Sequence, residues 1–168
     1  QRQMCIRDSA MGGFGGVLKN QSIGVASASG KAYIHTAGVT DRVEELWSHV
    51  DNQDGFLESM AAAAQSVADY FGDNIIYISV MNNMSVDCDC ASHPAAPRLK
   101  DYGILASTDP VALDQACLDI VFGMEATADN DNEPLKERIA SRHGTLTVDH
   151  AAKIGLGSKV YELVSIDR

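Results

Sequence analysis

The stretch NIIYISVM, residues 74–81, decides how the fold is read. It is apolar at Ile75, Ile76, Ile78 and Val80, with no clean alternation of polar and apolar positions. Such a run suits a strand covered on both faces, as in a parallel sheet. A second strand is expected at DYGILAS, residues 101–107, and a third at KVYELVSI, residues 159–166. Helices fall between them. TDPVALDQACLDIVFGM, residues 108–124, is the strongest: Asp109 stands at the N-cap and Pro110 at the first helical position, where its missing N–H costs nothing. Leu113, Ala116, Cys117, Ile120, Val121 and Met124 form its apolar stripe. A long helix is expected over residues 54–71, opened by Asp51 or Asp54 and closed by Gly72. Shorter ones are expected over 41–50, capped by Asp41 with Val43, Leu46, Trp47 and Val50 on one face, and over 135–142 and 148–154. Residues 22–28 fit a short helix or a strand equally well. The class is therefore α/β, with a mixed or mainly parallel sheet flanked by helices.

Composition narrows the function. The 168 residues carry 45% hydrophobic side chains and a net charge of −10. An acidic surface repels nucleic-acid phosphates and anionic lipid, so neither is expected as a partner. No apolar run approaches the roughly 18 residues that cross a bilayer. Metals, small molecules and other proteins remain, with the protein partner unspecified. The first nine residues, QRQMCIRDS, have no structural period and resemble translated sequencing-adapter sequence of metagenomic origin; they are set aside as non-native, leaving residues 10–168 as one domain or a piece of a larger one. Three cysteines then remain, too few for a disulfide framework. With no secretory signal in view, a reducing cytoplasm is the expected setting.

The chemistry-bearing stretch is VMNNMSVDCDCASHPAAP, residues 80–97, directly after the first strand. Ligands collect at the carboxyl ends of strands in open α/β sheets. Cys88 and Cys90 stand two apart, so on an extended chain their side chains point the same way, about 6.6 Å apart at Cα. Two thiolates so placed can share one soft transition metal ion or one cluster iron. A disulfide between them would be strained. Asp87 and Asp89 disfavour thiolate unless a cation is present. His93 is the third candidate ligand, and the local sequence supplies no fourth. The alternative is a polar loop with inert thiols. Asn82 and Asn83 suit a turn. Cys117, on an apolar stripe, reads as core.

Two further groups carry candidate chemistry. Gly12, Gly13, Gly15 and Gly16, followed by Lys19 and Asn20, can cradle an anionic ligand or cofactor, or simply form a tight turn. The run fits neither a Walker A motif nor a dinucleotide fingerprint. Lys31 and His35 are candidate catalytic residues; the alternative for His35 is a hydrogen-bonded structural role. His49, His143 and His150 read as surface residues without partners.

Three segments together, residues 11–36, 80–90 and 103–121, resemble the bacterial and archaeal family called domain of unknown function 362, whose members are often labelled Fe–S center proteins. The resemblance implies an iron–sulfur or metal role for the Cys88–Cys90 pair and a ligand-lining role for the run ending at Lys19 and Asn20. It also implies a longer domain, of which this chain is an incomplete, C-terminal part. Some relatives carry another cysteine where Arg98 stands here. Three functions follow as expectations: a metal- or iron–sulfur-binding protein of unassigned redox function, a small-molecule isomerase or hydrolase using Lys19, Lys31 and His35 in a glycine-lined cleft, or a non-catalytic scaffold or assembly protein.

Overall fold

The computed structural model describes residues 11–87, 93 and 95–166. Among them the chain is mainly helical, α/β only in a loose sense, with one small sheet. The order is α1 (Val17–Ile23), α2 (Ala28–His35), a 3-10 helix (Val43–Ser48), α3 (Gln53–Phe71), β1 (Tyr77–Met81), β2 (Gly103–Ser107), α4 (Pro110–Gly123), α5 (Glu133–Ser141) and α6 (Leu146–Lys153).

The sheet corrects the parallel reading. β1 and β2 are antiparallel, with Tyr77 opposite Ser107 and Met81 opposite Gly103. Burial along β1 alternates: Tyr77, Ser79 and Met81 turn inward while Ile78 and Val80 turn out. The outward residues are apolar but exposed, which is why the sequence resembles a strand covered on both faces. Residues 159–166, expected as a strand, adopt no regular structure. Tyr161 ties this segment down by donating to Asp119 Oδ2 at 2.8 Å, and Val160, Leu163, Val164 and Ile166 lie exposed.

Two helix ends form for the reasons foreseen. Asp109 Oδ1 accepts from the N–H groups of Val111 and Ala112 at 2.8 and 3.0 Å, capping α4 behind Pro110. Gly72 closes α3 at φ 54°, and Gly155 follows α6 at φ 84°. The entry to α3 is corrected: Asn52, not Asp51 or Asp54, accepts from the Gly55 N–H. Asp41 caps nothing, because the segment it precedes is a 3-10 helix with no side-chain cap, and Trp47 on it is 74% exposed. The ambiguous residues 22–28 end α1 and reach the start of α2, where Ser27 accepts from Gly30 N–H.

The main core joins α1, α3, the inner face of the sheet and α4 to α6, through Leu18, Ala64, Met81, Val111, Leu118 and Ile139. A smaller cluster of Ile34, Phe56, Leu57 and Met60 lies between α2 and α3. Buried amides stitch the elements. Asn132 donates to the Val121 and Met124 carbonyls at 3.0 and 2.8 Å, meeting two of the acceptors left over at the end of α4. Gln21 on α1 donates to the Ala64 carbonyl of α3.

Candidate functional site

The glycine run leads straight into α1, and its chemistry is set from α4. Gly16 is the N-cap of α1 and has no side chain to cap with. Asp114, fully buried on α4, reaches across instead. Its Oδ1 accepts from Val17 N–H at 2.7 Å and its Oδ2 from Leu18 N–H at 3.0 Å. A Cβ on Gly16 would run into that carboxylate, so only glycine fits. Gly13 has φ +85°, and a Cβ there would lie 2.8 Å from Gly144 Cα in the α5–α6 turn. Gly12, Gly13, Gly15 and Gly16 are all buried. Two of the N–H groups a cradled anion would use are already given to Asp114. Burial pushes the Asp114 carboxyl up to about 7, against the pull of the Leu18 and Val17 N–H groups.

One turn along α4, Cys117 is buried beside Asp114. Burial first, and then the Asp114 charge, push its thiol up to about 12. Ser79 on β1 offsets a little of that rise, yet its hydroxyl makes no hydrogen bond of normal geometry. A thiol so held stays protonated and is a poor nucleophile. Gly15, Gly16, Ser79, Met81, Cys117 and Leu118 line a cavity of about 40 Å³, with α5 closing its far side.

Lys31 and His35 lie elsewhere, on α2, and do not line this cavity. His35 stacks on Phe56 with ring centroids 4.8 Å apart, and its Nδ1 lies 2.7 Å from the Lys31 carbonyl. Burial lowers its pKa; the Lys31 carbonyl bond opposes this, and the charges of Lys19 and Lys31 add to the lowering. Lys19 of α1 and Lys31 thus act on one histidine. Asn20 is also on α1.

The base of the cysteine loop is well defined. Asp87 Oδ2 accepts from Ala95 N–H at 3.0 Å, tying the two sides of the loop together. Arg138 on α5 holds Asp87 Oδ1 at 3.3 Å and also donates to the Val86 carbonyl. Ahead of it, Asp101 accepts from Asn82 Nδ2 at 2.6 Å and from Asn83 N–H at 2.8 Å. Asn83 has φ +51°, so the two asparagines do form a turn. Cys88 and Cys90 lie outside the described residues; His93 is exposed. Among the described residues no three His, Cys, Asp or Glu side chains are grouped as a metal site.

The family model described as domain of unknown function (DUF362) matches residues 5–119, about two thirds of the chain. The chain belongs to that family. No curated protein and no solved structure matches it. The DUF362 match takes in the glycine run, the cysteine loop and most of α4, and ends at Asp119, ahead of α5 and α6. Arg138, which pins the cysteine loop, therefore lies beyond it. No helix among the described residues of this DUF362 chain is long and apolar enough to cross a membrane.

Sequence reasoning missed Asp114, Ser79 and Arg138. Asp114 has a signal: an acid inside the apolar run of α4, where a charge is rarely buried without partners. Ser79 has a weaker one, a polar residue in an apolar strand. Arg138 has none, because its partner is 51 residues away. The reading of two histidines as unpartnered is corrected. His143 Nδ1 lies 2.6 Å from Asp54 Oδ1, and His150 Nδ1 lies 3.3 Å from Glu58 Oε1.

Proposed function

We propose that this DUF362 protein binds a transition metal ion or an iron–sulfur cluster through Cys88 and Cys90, in a redox role. The observation that carries the reading is the loop base. The Cys-x-Cys pair stands between Asp87 and Ala95, whose side-chain-to-backbone bond holds the two ends together. Tying the ends of a short loop lowers the entropy lost when its ligands converge on an ion. Arg138 also neutralises Asp87, so that carboxylate no longer opposes thiolate formation as it would alone. Either group would be held by the two thiolates, with His93 as a further candidate donor. Once bound, it would supply Lewis acidity or one-electron transfer.

Anaerobic purification followed by metal analysis and an ultraviolet–visible spectrum tests this. Iron, zinc or nickel near stoichiometry is expected, falling at least tenfold in Cys88→Ser/Cys90→Ser. Equal, trace metal in both proteins overturns it.

A second reading places a small anionic substrate beside Lys19, Lys31 and His35. It is favoured by two lysine charges, Lys19 and Lys31, acting on His35. Protection against heat by anionic metabolites, lost in Lys31→Ala, is its expected signature; a screen without any shift removes it.

A further inference from the structure

The cavity between the glycine run, β1 and α4 lies apart from the α2 basic pair, and its chemistry is distinctive. Its walls are apolar for the most part: Met81 and Met84, then Leu118 and Val121 of α4. Ser79 is the exception. It is 1% exposed, and its hydroxyl, which bears on the Cys117 thiol, makes no hydrogen bond of normal geometry. Leaving such a group unsatisfied is costly, so the site favours any occupant that supplies the missing bond. Among the described residues, no lysine, arginine or histidine lines the space. The nearest acid, Asp114, has both oxygens turned to the α1 amides. An ionic guest would therefore be buried without a counter-charge, which excludes carboxylates, phosphates and ammonium groups. Size sets the other limit. One water needs about 10–15 Å³ on the same measure, so the cavity takes about three to four such groups.

We propose that this cavity binds a small uncharged organic molecule, with an apolar body of about three carbons and one hydroxyl or carbonyl oxygen hydrogen-bonded to Ser79. The methyl groups of Met81 and Met84 adjust to its shape, as unbranched thioethers do. Cys117 contributes a neutral, protonated surface and no covalent step.

The test uses the full chain with ¹³C-labelled methionine methyl groups, titrated with 1-propanol, acetone, propionate and propylammonium. With the two neutral probes, the Met81 and Met84 signals are expected to shift saturably. Met60, in the separate α2–α3 cluster, should stay still and reports that the fold is intact. Ser79→Ala should weaken 1-propanol binding about three- to tenfold, the range of one neutral hydrogen bond. That variant removes a hydroxyl that makes no hydrogen bond of normal geometry, so its fold is not at risk. Cys117→Leu, which fills the space, should abolish saturation. Linear shifts at all methionines, meaning that only water enters, overturn the proposal. So does equal binding by propionate or propylammonium, or an unchanged affinity in Ser79→Ala. Binding is expected to be the same in Cys88→Ser/Cys90→Ser, so this site and the metal reading stand or fall separately.

Discussion

The two faces of the β1–β2 ribbon are nearly equal in hydrophobicity and opposite in fate. Inward stand Tyr77, Met81 and Leu105, all under 8% exposed; outward stand Ile78 and Ile104, at 57% and 71%. The inner face meets α1 and α4 and belongs to the main core. Side-chain type does not separate the faces, because isoleucine and valine are as apolar as methionine and leucine. Position on the pleat separates them, together with which side the helices pack on. The inner side also holds the unusual polar groups, the Asp114 carboxylate and the Ser79 hydroxyl. Burial there sets chemistry as well as stability.

The sharpest way to break this comparison is to truncate one residue on each face. Met81→Ala removes a side chain that is 1% exposed and lines the cavity, and should cost about 2–5 kcal/mol in urea denaturation. A cost below about 1 kcal/mol would mean that the inner face is not the packed one.

The next effect is electrostatic and also belongs to the inner side. The Asp114 carboxyl is raised from 3.8 to about 7 in the folded chain, chiefly by burial. Between about pH 4 and pH 7 the native state then holds a proton that the unfolded chain has lost. Stability should fall as pH rises through that window and level off above it. The full difference is on the order of 4 kcal/mol. Denaturation midpoints from pH 4.5 to 8 should therefore slope more steeply in wild type than in Asp114→Asn. Parallel curves would show that the two α1 amides keep the carboxylate ionised throughout.

Smaller again is a glycine pair. Gly16→Ala pushes a methyl into the Asp114 carboxylate and should cost about 1–3 kcal/mol, as overpacking does. Gly123→Ala, at the exposed end of α4, meets nothing within 4 Å and should be neutral or stabilising by up to about 1 kcal/mol. Equal costs would remove the contact as the reason for glycine at residue 16.

How far the sequence reveals this molecule follows from the range of each interaction. Local rules suffice for α3 and α4, because their periodicity, the Asp109 cap and Gly72 all act within a few residues. The α1 start is not locally legible, since its cap is supplied by Asp114, 97 residues from Val17. The parallel-sheet reading failed at Ile78 and Val80. It took apolarity as burial, and nothing in NIIYISVM says how many faces a neighbour covers. Residues 159–166 have strand-like composition but no strand partner among the described residues, and propensity without pairing does not make a sheet. As for the candidate site, the run at 12–20 and the Cys-x-Cys spacing are visible directly. The base that holds the loop depends on Arg138, a contact between segments that no local pattern reports.

The weakest expected effect sharpens the comparison most. Ile78 stands opposite Ala106 on the outward face. Threonine keeps its β-branch, and with it the backbone preference for strand, while replacing a methyl-bearing arm by a hydroxyl. On a solvated face that exchange should change stability by less than about 0.5 kcal/mol. On a covered face it would bury a hydroxyl without a partner and cost at least about 1 kcal/mol. Ile78→Thr therefore reads coverage directly, with propensity held nearly constant. Equal stability by urea denaturation, with Met81→Ala strongly destabilised beside it, is the expected pair of results. A loss above 1 kcal/mol in Ile78→Thr would mean that the outward face is packed in solution, as an apolar run without alternation first suggested.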